Sequence, residues 1–328
     1  MTEIRKVGVV GAGLMGSGIA QVSAAAGYET LVREVEQGFL DRGMAGIGKN
    51  LDRAVQKEKL GATDRDATMA RLHPTLELAD LAACDLVIEA ITENLGAKHA
   101  LFDELGGLCA AETIFASNTS SLSITELAAE TDRPERFVGL HFFSPVPVMP
   151  LVEVVRCGQT AEATFEAAFA FAGSLGKSPI ACGDNTGFVV NRLLVPYMLD
   201  AIRAYEAGVA SIPDIDKGLR LGCGYPMGPF TLGDFVGLDT LYHITGIMYD
   251  EYKEARFASP PLLRRMYLAG YHGRKTGKGF YDYSGDEPVV SSFVLGRVPQ
   301  TDRETARRLP GPPTVSIACV IANRVMQD

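Results

Sequence analysis

Residues Lys6 to Gln21, KVGVVGAGLMGSGIAQ, decide how this chain is read. Lys6 to Val10 is apolar and β-branched and reads as a buried strand. Gly11-Ala12-Gly13-Leu14-Met15-Gly16 then fits G-x-G-x-x-G, and the small residues from Gly18 to Ala26 read as a helix. The first glycine makes the turn, the second lets backbone approach a pyrophosphate, and the third lets the helix pack on the sheet. The helix N-terminus supplies free N–H groups and a favourable dipole. The motif gains its meaning from its place between a strand and a helix. It marks Gly11, Gly13, Leu14, Met15 and Gly16 as candidate dinucleotide-binding residues. The next strand, Glu29 to Val32, ends at Arg33-Glu34, and Glu34 stands where the ribose-binding acid of such a unit belongs.

Two more buried strands follow, DLVIEA from Asp85 to Ala90 and TIFAS from Thr113 to Ser117. A helix from Lys98 to Leu108 separates them. Strands alternating with helices predict an α/β domain of Rossmann type, with a doubly wound, mostly parallel sheet. Ligands of such sheets bind at the carboxyl ends of the strands. The glycine loop, Glu34, Glu93, Ser120 and His141 all fall at such ends. FVGLHFFSPVPVMPLVEVV, Phe137 to Val155, reads as a strand, a turn set by Pro145, Pro147 and Pro150, and a second strand. His141 closes the first run and Glu153 interrupts the second. A carboxylate in an apolar strand is costly without a partner, and His141 is the candidate. The pair reads either as a general base with its orienting acid or as a structural ion pair.

After about residue 183 the pattern turns helical. Asp184-Asn185-Thr186 read as the cap of a helix from Gly187 to Ala207. Further helices are expected from Ile212, from Thr231 to Tyr252 and near Pro261 to Ala269. The expected division is residues 1–183 for the dinucleotide domain, 184–284 for an all-helical substrate and dimerisation domain, and 285–328 for a tail without an assigned role. The helices carry more apolar residues than one packing face needs, which points to a subunit interface. A formal net charge of −9 disfavours nucleic acid or an anionic membrane as partner. The six cysteines are scattered and contain no C-x-x-C, so a metal site or disulfide framework is not expected and a reducing compartment is. Glycines interrupt the N-terminal apolar run, and no stretch approaches a membrane span; a cytoplasmic protein is expected.

VGVVGAGLMGSGIAQ, EAITENL, SNTSSLSIT, HFFSPVPVMPLVEVV, GFVVNRLLVPY and GRKTGKGFYDY stand in this order from residue 4 to about 284. Together they resemble the L-3-hydroxyacyl-CoA dehydrogenases, and among them the short, stand-alone 3-hydroxybutyryl-CoA dehydrogenases. The resemblance implies NAD as cofactor, an acyl-CoA substrate and a homodimer formed by the helical domain. It implies His141 as catalytic base, Glu153 as its partner, and Ser120 and Asn191 as contacts to the substrate hydroxyl. It places Glu93, Lys98 and Asn118 in the cofactor site. A basic helix predicted from Ile47 to Leu60 would meet the CoA moiety through Arg53 and Lys57. The chain departs from the family pattern at Ser144, where Asn is usual, at Pro150, where Lys is frequent, and at Glu34, where Asp is usual. A dehydrogenase of a free hydroxy acid, such as a sugar acid or carnitine, and a non-catalytic NAD-binding protein stay open as alternatives.

Overall fold

The computed structural model describes residues 3–295. They form two compact units that divide between Phe188 and Val189. The first unit is built on one eight-stranded sheet, in the order β3-β2-β1-β4-β5-β6-β7-β8. The strands are β1 (Lys6–Val10), β2 (Glu29–Arg33), β3 (Leu72–Thr75), β4 (Leu86–Glu89), β5 (Ile114–Ser117), β6 (Phe137–Phe142), β7 (Leu151–Arg156) and β8 (Ser178–Gly183). All neighbouring strands run parallel except β6 and β7. Strand order reverses between β1 and β4, the switch point at which a doubly wound sheet opens its ligand crevice.

The apolar runs are continuous because both faces of the sheet are covered. Val7, Val9, Leu86, Ile88, Ile114, Ala116, Val138, Leu140, Val152 and Val154 feed one core, with Ile19, Ile47 and Phe171 from α1 (Leu14–Ala25), α2 (Gln37–Gln56) and α6 (Glu162–Ser174). Val10, Val87, Phe115, Phe137 and Val155 feed the other. There they meet Leu101, Phe102 and Leu105 of α4 (Leu95–Leu108) and Ile124 and Leu127 of α5 (Ile124–Ala129). A short helix, α3 (Ala62–Ala70), precedes β3.

Several expectations are corrected. The helix after the glycine loop begins at Leu14, not Gly18, so the loop opens directly into it. The basic helix is α2, and it runs earlier than expected because Leu40, Ile47 and Leu51 form its buried stripe. It stops at Gln56; Lys57 is its C-cap, and Glu58 takes a left-handed φ of 55°. The Asp184 carboxylate does not cap the helix after it. It accepts from the Ile124 N–H at 2.9 Å and the Thr125 N–H at 2.7 Å, and so caps α5.

The second unit contains α7 (Val190–Glu206), α8 (Ile212–Gly222), α9 (Pro229–Val236), α10 (Leu238–Tyr252), α11 (Pro261–Leu268) and α12 (Ser292–Leu295). The single helix expected from Thr231 to Tyr252 is two, because Gly237 takes a φ of 103° between them. The unit is helical, as expected, apart from one short antiparallel pair, β9 (Tyr281–Asp282) with β10 (Val289–Val290). The sequence GFYDY is fastened by two buried acids. Asp234 accepts from the Phe280 and Tyr281 N–H groups, each at 2.9 Å, and Asp216 accepts from the Tyr281 hydroxyl at 2.9 Å.

The expected tail, residues 285–328, does not begin at residue 285. Val294 is wholly buried in the helical core, and the Tyr205 hydroxyl donates to its carbonyl at 2.8 Å. Ser291 is 2% exposed and its N–H donates to the Phe280 carbonyl at 2.9 Å. The charged RETARR and apolar VSIACVIA stretches lie outside the described residues. Truncation after Ser284 would remove this packing and is expected to destabilise the second unit by about 2–4 kcal/mol, from one buried Val and two lost hydrogen bonds. A thermal melt checks it: an unchanged transition in the truncated protein would show that residues 285–295 contribute nothing.

Candidate active site

At the first strand end, Gly11 takes a φ of 101°, closed to most side chains, and its N–H donates to the Arg33 carbonyl at 2.9 Å. Gly13 is the N-cap of α1, with no side chain to cap it, and a Cβ built there would meet nothing within 4 Å. Open space in front of an uncapped helix N-terminus suits a phosphate. Glu34, at the end of β2, reaches back to the loop: its carboxylate accepts from the Ala12 N–H at 2.8 Å and the Val35 N–H at 2.8 Å. The glycine loop and its acid are therefore one structure. Gly11, Gly13, Leu14, Met15, Gly16 and Glu34 fit the phosphate and ribose half of a dinucleotide.

At the ends of β4 and β5, charged groups gather beneath a loop. Asn94 caps α4 by accepting from the Ala97 N–H at 2.9 Å, which places Lys98 on the first turn, facing inward. Its Nζ lies 2.5 Å from Glu89 Oε1 and 3.2 Å from Glu93 Oε2. Glu93 also accepts from the Thr119 hydroxyl at 2.5 Å and the Ser120 N–H at 3.0 Å. Burial pushes the Glu93 carboxyl up, but the Lys98 charge and the bonds from Thr119 and Ser120 outweigh it and hold the group below the usual range. Asn118 is committed differently: its Oδ1 accepts from the Phe142 N–H at 2.9 Å, tying this loop to β6 beside His141.

The dyad sits on the antiparallel pair. His141 is directly opposite Glu153 in the β6–β7 register, so both side chains rise from the same face. His141 lies inside β6 rather than at its end, because β6 continues to Phe142. The His141 Nδ1 is 2.6 Å from Glu153 Oε2, with Glu153 wholly buried and His141 7% exposed. Phe143 and Phe188 flank the imidazole, with ring centroids 4.5 and 5.7 Å away. Nδ1 is engaged by the carboxylate, which fixes the tautomer and leaves Nε2 as the nitrogen that can exchange a proton. The turn between the strands is held by Lys177, whose ammonium donates to the Val146 carbonyl at 2.5 Å and the Met149 carbonyl at 2.9 Å.

Burial pushes the Cys84 thiol up to about 12 and the Cys182 thiol up to about 11, with the Glu153 charge adding to the second, so neither is a ready nucleophile. No group of metal-binding side chains occurs among the described residues. Asn191 lies in the second unit, on the first turn of α7. Arg53 is exposed on the last turn of α2 and Lys57 exposed just beyond it, and neither enters an ion pair among the described residues. Sequence reasoning missed Glu89 as a partner of Lys98, although an acid ending an apolar strand with a lysine nine residues on is a visible signal. It also missed Lys177, whose partners are main-chain carbonyls and leave no trace in composition.

A dinucleotide cradle at the switch point and a buried His–Glu pair on the same sheet define a nicotinamide-dependent dehydrogenase. The model of the 3-hydroxyacyl-CoA dehydrogenase NAD-binding domain matches residues 6–185, and that of the C-terminal domain matches residues 187–283. The chain belongs to the 3-hydroxyacyl-CoA dehydrogenase family and is an NAD-dependent oxidoreductase of that family. It is 49% identical over 282 residues to the 3-hydroxybutyryl-CoA dehydrogenase of Mycobacterium tuberculosis, which covers 85% of this chain and 99% of that protein. It is 46% identical to the human mitochondrial hydroxyacyl-coenzyme A dehydrogenase, over 85% of this chain and 91% of that one. The crystal structure of the (S)-3-hydroxybutyryl-CoA dehydrogenase of Ralstonia eutropha superposes with a TM-score of 0.84 at 44% identity, covering 86% of this chain and all of that one (100%). These relatives support a 3-hydroxyacyl-CoA dehydrogenase over the free-acid and non-catalytic alternatives. No helix among the described residues is long and apolar enough to cross a membrane.

Proposed function

We propose that the enzyme interconverts L-3-hydroxybutyryl-CoA and its 3-keto product, with His141 as the base and Glu153 as its orienting partner. The observation that carries this reading is the buried 2.6 Å contact of His141 Nδ1 with Glu153. His141 Nε2 takes the hydroxyl proton as the hydride leaves C3, and Glu153 offsets the positive charge that grows on the ring. Ser120 holds the oxygen that becomes the ketone; Asn191 keeps the substrate role that the family resemblance gives it. NAD, when bound, accepts the hydride; Gly11, Gly13, Leu14, Met15, Gly16, Glu34 and Glu93 would hold it, Lys98 acts from beneath by pairing with Glu93, and Asn118 acts by fixing the loop to β6. The names of the relatives support the four-carbon acyl chain. Steady-state rates with C4 to C16 acyl-CoAs test it: kcat/KM should be highest at C4, and a maximum at C8 or longer would overturn the short-chain reading. The buried free thiols support a reducing, cytoplasmic setting. Exposed Leu193, Leu221, Phe235, Tyr249 and Leu268 support a homodimer through the second unit, which sedimentation can test.

Arg53 and Lys57 are proposed to meet the CoA phosphates. Changing both to Gln should raise KM for the acyl-CoA about 5- to 20-fold with kcat within about twofold, and added salt should reproduce part of the rise. An unchanged KM would leave these side chains as a solvated surface.

A further inference from the structure

The charges beneath the Asn118–Ser120 loop do not balance. Glu89 is wholly buried and Lys98 is 1% exposed. Besides Lys98, Glu89 accepts from the Ile91 N–H at 2.7 Å and the Ser117 hydroxyl at 2.6 Å. Three donors and no acceptor suit a carboxylate. Lys98 with Glu93 alone would be neutral; the second acid makes the row net negative by one. A buried acid beyond what pairing requires carries a desolvation cost, so its presence calls for a function. The row opens outward only through Glu93, whose side chain is 36% exposed.

In a doubly wound sheet each half takes one mononucleotide. Here β1 to β3, with Glu34, form the half for the first, and β4 to β6 the half for the second. The nicotinamide ring is cationic in NAD+ and neutral in NADH. We propose that the Glu89–Lys98–Glu93 row, through its net negative charge, biases the nicotinamide half-site toward the oxidised cofactor. Glu89 is a positioning residue in this scheme: it supplies charge from beneath the loop without touching the ligand. The proposal rests on reading these strand ends as the cofactor site.

A unit charge about 12 Å away, at an effective dielectric of about 20, changes an equilibrium constant about tenfold. Glu89→Gln keeps the shape, and the Ser117 hydroxyl can rotate to accept from the new amide. Calorimetric titration of the full chain with NAD+, NADH and ADP-ribose, which lacks the ring, tests the idea. In Glu89→Gln the ratio Kd(NAD+)/Kd(NADH) should rise about 5- to 20-fold, with ADP-ribose affinity unchanged. Glu93→Gln should move the ratio in the same direction, and it carries the test if Glu89→Gln does not fold. Ser117→Ala, which removes a bond but no charge, should leave the ratio as it is. An unchanged ratio in the folded charge variants, or an equal loss of all three ligands, would overturn the proposal. Failure of the wild-type protein to bind any of the three would instead overturn the cofactor-site reading.

Discussion

Replacing Glu153 by Gln is expected to lower kcat by at least about 10²-fold, with NADH affinity and melting temperature little changed. The amide fills the same space in β7 and can still bond the ring. It cannot offset an imidazolium. The pair is buried, with Glu153 wholly inaccessible and His141 7% exposed, so little solvent is available to take over that task. In the Ser-His-Asp proteases, which run a different reaction, the matching change costs about 10⁴-fold. The amide can also present its NH2 group to Nδ1, which would turn the proton to Nε2 and leave no base facing substrate. His141→Ala should cost as much or more. The double variant should lose little beyond the worse single one, because the two residues act as a unit. Pre-steady-state kinetics separate the chemical step from product release. Near-normal kcat in Glu153→Gln, or losses that multiply in the double variant, would mean that Glu153 only fills and fastens the strand.

This dyad was legible in the sequence because an acid in an apolar run is costly anywhere but beside a partner, and the proline-rich turn brings the two runs together. The register that places His141 opposite Glu153 was not legible, since the length of the proline turn alone does not fix it. The central strands were legible because both of their faces are covered, which demands unbroken apolar runs. Within the eight-stranded sheet, the two strands that escaped notice, β3 and β8, are its edges. LHPT carries Pro74, which an edge strand accommodates because only one side of it pairs, and β8 is half-exposed along most of its length. Sequence pattern reports burial, and edges are the strands that bury least. The first turns of α2 escaped for a related reason: QGFLDRG has poor helix propensity and is carried by packing of Leu40 on the sheet. Glu89 was visible as the close of a strand, but its partnership with Lys98 and Ser117 depends on how α4 and β5 come back to β4.

Gly16→Ala is expected to weaken NADH binding by at least about 10²-fold, the worth of roughly two N–H bonds to a charged phosphate. A Cβ at residue 16 would lie 1.7 Å from the Gly11 carbonyl oxygen and 2.9 Å from its carbon. Gly11 cannot give way. Its φ of 101° and its N–H bond to Arg33 fix it on one side, and on the other a Cβ there would already sit 2.7 Å from the Ala90 carbonyl. So α1 has to move off the loop. That movement breaks the Ala12 N–H bond to Glu34, and with it the link between the phosphate and ribose ends of the cradle. The fold should survive, because Ile19, Ala20 and Ala24 anchor α1 in the core; an overpacking cost of about 1–3 kcal/mol is expected in the melt. ADP-ribose should weaken in parallel with NADH, since the damage lies at the pyrophosphate and not at the nicotinamide. Gly13→Ala gives the complementary result. Nothing in the protein lies within 4 Å of a Cβ there, so the melt should not change, yet the methyl would stand where backbone meets the phosphates, and NADH affinity should fall. If Gly16→Ala and Gly13→Ala both bind NADH within a few-fold of wild type, the loop is a structural turn and the pyrophosphate lies elsewhere.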